Sequence, residues 1–468
     1  MMDENRMLNF KPSRERSLYL LLAAPVIALL GVFAMGVKIE WAAAASVKAS
    51  LARLTSEGEP IGNHTLAQWM DNNTSQETTA QWRDILVATD GLSVRFRDLL
   101  PLDDEHELAP SQPSDDADIL QRYAQQARPI IEAIEKVKSQ PKPVWQPVVF
   151  NGFGTLLPDL QGSRSIIYLL SREFRVAVHQ RDPSRAIQAL DLMLKVADAY
   201  DWQIGFVSDF VYFAAVNRHR DQIRQSLAIG FWDNEEQLLQ LRDQMNRPHD
   251  LHDRLAKAVA TERAYQLAEF GITSEGPSYF ERESGFEVFP FGTTATTGQS
   301  MLERYEQWRD IDMTTAFDQW PTSETSNQEK DELWAFSILG IPVANTAAFI
   351  EPFYSNEGSI ASTFYRFELN RRWTLTAVAI KLFKLQHDRF PNELSELSEI
   401  GLTESDWMVN SQESFGYEVG GRDEVAYLWS IDFETAKRPG GEPVVAKERP
   451  LTSDDPIQKI EQFVTEIR

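Results

Sequence analysis

The spacing of apolar and polar residues changes several times along this chain, and each change marks an element. Leu18 to Val37, LYLLLAAPVIALLGVFAMGV, is a run of twenty residues without a charge. As a helix it would be about 30 Å long, the thickness of a bilayer hydrocarbon core, so the pattern predicts an N-terminal transmembrane helix. The Ala-rich stretch Trp41 to Thr55 lacks Pro and Gly and extends that helix as a stalk, which Gly58 and Pro60 end. Thr65–Trp69 and Trp82–Val87 read as short helices with one tryptophan each. Asp103 to Asp118 carries seven acids and no base and reads as a loop. A helical period returns at Ile119 to Lys138, with Leu120, Ala124, Ala127, Ile131, Ile134 and Val137 on one side, and stops at the Pro-rich stretch Pro141 to Val148.

The most regular patterning follows. Ser165 to Gln180 and Pro183 to Tyr200 repeat one apolar stripe across Arg181-Asp182-Pro183, where Asp182 can cap and Pro183 can open the second arm of a helical hairpin. Further helices are expected at Val207–Ile229, at Asn234–Met245 behind an Asp233 cap, and at Leu251–Phe270. Helix pairs with tight turns form either an α-hairpin array or an irregular helical bundle, and no strict repeat period separates the two. Beyond the Gly/Thr-rich stretch 271–298, helices are expected at Gln299–Trp320 and Ser359–His387. Leu333 to Ile350 is also uncharged, but Gly340, Pro342, Asn345 and acidic flanks make it a buried or interfacial segment rather than a second span. Asn392–Ile400 reads as a short helix, and Phe415–Val419 and Val425–Ile431 as a β-hairpin across Gly420-Gly421-Arg422-Asp423. Asp455-Pro456 opens a final amphipathic helix with Ile457, Ile460, Phe463 and Ile467.

The expected fold is therefore mainly α, with a small C-terminal α+β module. Its divisions are a cytoplasmic tail (1–17), the transmembrane helix (18–37), a stalk and juxtamembrane helical region with the acidic loop (38–150), the helical hairpin region (151–270), a Gly/Thr-rich linker or loop (271–298), a second helical region (299–390), the α+β module (391–433), and a linker with a C-terminal helix (434–468).

Charge orients this arrangement. Arg6, Lys11, Arg14 and Arg16 precede the apolar run, whereas only Lys38 and Lys48 follow closely, so the positive-inside rule places the tail in the cytoplasm and the main domain outside. A cleaved signal peptide, with Ala43-Ala44-Ala45 as its small-residue site, is the alternative, but its apolar region would exceed the usual ~7–15 residues. Seventy acids against 46 bases give a net charge of −24, which repels phosphate backbones and argues against nucleic-acid partners. The sequence has no cysteine, which removes disulfides, thiolate metal sites and cysteine nucleophiles.

Two resemblances bear on the reading. Lys381-Leu-Phe-Lys-Leu-Gln-His-Asp-Arg-Phe-Pro-Asn-Glu-Leu-Ser-Glu-Leu397, followed by Phe415-Gly-Tyr and Ala426-Tyr-Leu-Trp-Ser430, resembles the helix, turn and closing strands of type II secretion pseudopilin heads over ~60 residues. The N-terminal processing motif of pseudopilins is missing, so the resemblance implies a local shape. Gly58-Glu-Pro-Ile61 with Leu66 and Trp69, Leu156-Leu-Pro-Asp-Leu160, Arg181-Asp-Pro183 with Ala186, and the His387–Pro391 turn are similar to an uncharacterised bacterial family of single-span, mainly helical, membrane-anchored proteins. That resemblance implies architecture and no activity.

Candidate chemistry is sparse. His249, His252 and Asp253 form the densest set of metal-ligand types, since His249 and His252 share a face if both are helical, but Pro248 and Asp250 favour a helix start, so no metal or cofactor is expected. His219, between Arg218 and Arg220, reads as an exposed helix face, and His179 and His387 close helices where the dipole favours them. Phe291 to Gly298 lacks the Lys-Ser/Thr ending of a phosphate loop. Glu262, Glu269, Glu281 and Glu283 are acids that hydrolysis could use, though carboxylates in an acidic chain are usually solvated. The expected function is a membrane-anchored extracytoplasmic protein that contacts the membrane through 18–37 and binds or organises other envelope proteins, with Ser165–Phe270 as the surface. An envelope hydrolase using paired carboxylates near 271–298 is the alternative, and a secretion-apparatus component the second alternative.

Overall fold

The computed structural model describes residues 14–71, 75, 77–96, 99, 115–143, 160–199, 205–247, 251–269, 272–273, 276–277, 294–309, 357–409, 414–420, 425–429 and 464–468. Within this set the chain is mainly helical. Of the expected loop Asp103–Asp118, residues 103–114 lie outside the described residues and 115–118 are instead the first turn of a helix; Thr322–Asp331 and Leu333–Ile350 also lie outside them.

Helix α1 (Arg14–Ser56) is one continuous helix of 43 residues, about 65 Å long, that runs through Pro25. It stops where expected, with Gly58 in the left-handed region at φ +77°. Its two ends meet different surroundings. Every described side chain from 23 to 42 is exposed, including Ile27 at 67% and Trp41 at 77%. Beyond them Ala43, Val47, Leu51 and Leu54 are buried, the last three packing with Ile61, Leu267, Ile272, Met301 and Leu302. Among the described residues no helix is long and apolar enough to cross a membrane; within the uncharged run, the side chains of 18–22, 24, 28, 29, 32, 33 and 36 fall outside that description.

Helices α2 (Asn63–Asp71), α3 (Glu77–Phe96), α4 (Asp115–Val137), α5 (Leu160–His179), α6 (Pro183–Ala199), α7 (Gly205–Ala228), α8 (Glu235–Met245) and α9 (Leu251–Glu269) follow in order. The α5–α6 hairpin forms as its sequence predicts, with the Arg185 amide donating to Asp182 Oδ1 at 3.1 Å and Arg181 at φ +55° making the turn. At α8 the cap is Asn234, whose side chain accepts from the Glu236 amide, and not the expected Asp233. Either residue type can cap; the one that supplies the extended φ and ψ ahead of the first turn does so.

The choice between array and bundle is decided by α7. It packs against α5, α6 and α9, against α11 (Glu357–His387) and against strand β5 (Val464–Ile467). A solenoid unit meets only its sequence neighbours, so this is an irregular bundle. One apolar core runs from Trp82 and Tyr123 through Leu170, Leu190 and Trp232 to Phe383, Leu397 and Leu428, across the expected divisions at 150, 298 and 390.

Three further expectations change. The stretch 271–298 is not wholly a linker: β1 (Ile272–Thr273) pairs with β2 (Gly276–Pro277), and α10 (Thr294–Arg309) begins inside it. Gly298 is buried there, so close to Ile272 that a Cβ would stand 2.6 Å from its Cδ1. Asn392–Ile400 is a 3-10 helix over Leu394–Ile400, closed by Gly401 at φ +90°. Finally, of the expected C-terminal helix only the end, Val464–Ile467, is among the described residues, and it is a strand. β3 (Gly416–Val419), β4 (Ala426–Trp429) and β5 form an antiparallel sheet in which Leu428 faces Thr465 and Ala426 faces Ile467. The unpaired edge of β4 supplies backbone partners, Thr465 and Ile467 become buried, and Lys381 donates to the Arg468 carbonyl. Tertiary pairing overrides an amphipathic helical period.

Candidate functional site

The described residues place an ionic cluster where α6, α7 and α9 meet. On the buried side of α7, between Phe206 and Phe213, the inner face carries Asp209 and Tyr212. Arg254, one turn into α9, reaches both: Nη1 donates to Asp209 Oδ1 at 2.8 Å, and the guanidinium carbon lies 3.6 Å from the Tyr212 ring centroid. Burial pushes the Asp209 carboxyl well above its ordinary range; Glu262 adds to the rise and Lys257 opposes it. The Arg254 contact pulls the same group toward its charged form through a charge-assisted bond. Burial also lowers the Arg254 guanidinium to about 10, with Asp198 opposing.

Two turns further along α9, Glu262 reaches the start of α7. Its Oε1 accepts from the Phe206 amide at 3.2 Å, so it caps α7 from a neighbouring helix, where unpaired N–H groups and the positive end of the dipole lie. The approach needs Gly205. That residue sits at φ +80°, and a Cβ on it would stand 2.5 Å from Glu262 Oε1. Burial pushes the Glu262 carboxyl up to about 7, the Phe206 amide opposing.

Lys142 completes the cluster. Burial lowers its ammonium to about 8; Asp198 and Asp253 oppose this, and Arg254 and Lys257 add to it. Lys257 is paired with Asp253, and Arg247 Nη1 lies 3.3 Å from Asp198 Oδ2. Burial thus shifts both the carboxyl and the ammonium toward their neutral forms, while the neighbouring cations Arg254, Lys257 and Arg247 are each paired with a carboxylate.

Of the residues named from sequence, Glu262 belongs to this cluster and is far less solvated than an acid of this chain was expected to be. Glu281 and Glu283 lie outside the described residues, as does the Glu269 side chain. His249 lies outside them too, while His252 and Asp253 are exposed, and among the described residues no three metal-ligand side chains gather. His219 is not on an exposed face. It is fully buried, with Nε2 3.0 Å from Gln244 Oε1, because α7 is enclosed by α5, α6, α9 and α11. His179 and His387 do stand in the last turns of α5 and α11; His387 stacks on Phe383 at 4.1 Å.

Asp209, Arg254 and Lys142 were not legible in advance. The one available signal was an acid inside an apolar helical stripe, Phe206 to Phe213, and such an acid is usually turned outward. Comparison of the chain with family models, with curated proteins and with solved structures finds no match.

Proposed function

We propose that this is a single-pass, membrane-anchored protein whose helical body lies outside the cytoplasm and binds or organises other envelope proteins. The observation that carries the reading is the division of α1: apolar side chains such as Val26, Ile27, Leu30 and Met35 are exposed, while Ala43, Val47, Leu51 and Leu54 are buried in the body. A run of exposed aliphatic residues on one projecting helix has no aqueous rationale and suits lipid. The bases before it orient the body outward. Within the expected surface 165–270, the large apolar side chains left exposed among the described residues are Val207 and Phe210.

The cysteine-free chain makes the test direct. Single substitutions Ile27→Cys and Lys48→Cys are labelled in intact cells with a membrane-impermeant maleimide. Labelling at 48 with protection at 27 is expected; labelling at both, or release of the protein by carbonate, overturns the anchor. Photocrosslinkers at 207 and 210 are expected to capture a discrete envelope protein that a crosslinker at exposed Glu236 does not. No adduct, together with a monomeric intact protein, overturns the binding role.

The converging acids Asp209 and Glu262 favour a second reading, an envelope hydrolase of glycan or peptide in which Glu262 is the general acid. Hydrolysis of cell-wall material that is lost in both Glu262→Gln and Asp209→Asn supports it; unchanged turnover in either variant removes it.

A further inference from the structure

The seam between α7 and α11 is rich in arginine, and Arg224, Arg371 and Arg372 are each paired with a carboxylate. Glu368 accepts from Arg371 at 2.8 and 2.9 Å and from Arg372 at 2.9 Å. Arg224 is paired with Asp221, donates to Thr374 Oγ1 at 2.7 Å and lies over the Trp373 ring at 4.5 Å. Arg220 differs. It is 0% exposed, and its Nη1 donates to two neutral acceptors, the Phe367 carbonyl at 2.5 Å and Asn217 Oδ1 at 3.2 Å. Its guanidinium carbon lies 4.1 Å from the Phe367 ring centroid.

The two remaining nitrogens, Nε and Nη2, are buried and have no acceptor among the described residues. These N–H groups leave one edge of the guanidinium in parallel, the edge that receives a carboxylate or phosphate side-on. Burial disfavours this guanidinium, and Glu368, the carboxylate that acts on it, is already hydrogen-bonded by Arg371 and Arg372. The other cations of the seam, Arg224 and Arg371, add positive potential at the same place, and Glu368 is already engaged.

We propose that the Nε–Nη2 edge of Arg220 binds a small oxyanion, a carboxylate or an inorganic phosphate, between α7 and α11. The anion supplies the missing acceptors of Nε and Nη2 and ties the two helices together. This site is separate from the Asp209–Glu262 cluster and does not depend on the anchor or its partners.

The test uses the full-length protein in detergent, with thermal unfolding followed at constant ionic strength while chloride is replaced by formate or by inorganic phosphate. A saturable rise in Tm of about 2 °C or more is expected, since a ligand that binds the folded state alone stabilises it by mass action. Saturation with formate identifies a carboxylate ligand, and with phosphate alone a phosphate. Arg220→Met is expected to lose the saturable part and keep any linear salt effect. If that variant fails to fold, Arg220→Lys, which keeps the charge without the side-on edge, is expected to lose it as well. No saturable shift in the wild type, or the same shift in either variant, overturns the site.

Discussion

Replacing Glu262 by Gln isolates the buried carboxyl at the start of α7. Gln keeps an oxygen that accepts from the Phe206 amide and removes only the charge. Because the folded protein holds this carboxyl at about 7 against an ordinary 4.5, folding is opposed wherever the unfolded chain ionises it more readily. The sign follows. The group contributes no penalty below 4.5, where both states are protonated, and its penalty builds as pH rises toward 7 and is complete above it. The magnitude is about 3 kcal/mol at pH 8, about 2 kcal/mol at pH 6 and close to zero at pH 4. Glu262→Gln should therefore unfold at a higher temperature or urea concentration than wild type at pH 8, with the gap closing as pH falls to 4. Measuring the difference between the two proteins at each pH cancels the other titrating groups to first order, Asp209 excepted, since it senses Glu262 directly. A gap that is independent of pH would show that folding does not shift this carboxyl, and a variant less stable than wild type at pH 8 that it is held as a carboxylate; either result would refute the reasoning.

Other substitutions test the neighbouring elements. Gly205→Ala should destabilise by about 1–3 kcal/mol in urea unfolding, since it forces a side chain into φ +80° and against Glu262. Asn234→Ala removes the α8 cap and should cost about 1 kcal/mol, with amide exchange rising first at Glu236. Leu51→Ala opens the small core that docks α1 to α10 and should cost about 2–5 kcal/mol, read as faster proteolysis near Gly58 while the main core persists.

Periodic segments were the most legible part of this protein. The α5–α6 turn is written in Asp182-Pro183, the end of α1 in Gly58, and α11 in its long apolar stripe, because capping, proline placement and one-sided burial act within a few residues. The final strand was not legible: Ile457 to Ile467 carries a helical period, and only the free edge of β4 makes Val464–Ile467 extend. The same holds for the ionic cluster. Asp209 and Glu262 are 53 positions apart in sequence, and Lys142 is further still, so nothing local announces that burial will bring them together.

By itself the sequence determined the mainly helical class, most of the helix and turn positions, the long uncharged run at the N-terminus, and the acidic, cysteine-free character of the surface. These depend on composition and on spacings shorter than a helix. Only the tertiary structure decided that the helices form a bundle around one core, that His219 is inside it, that Glu262 caps a helix it does not belong to, and that Arg220 is buried with two of its nitrogens left without acceptors. Desolvation and pairing depend on which helix faces meet, and that contact is made between residues far apart along the chain.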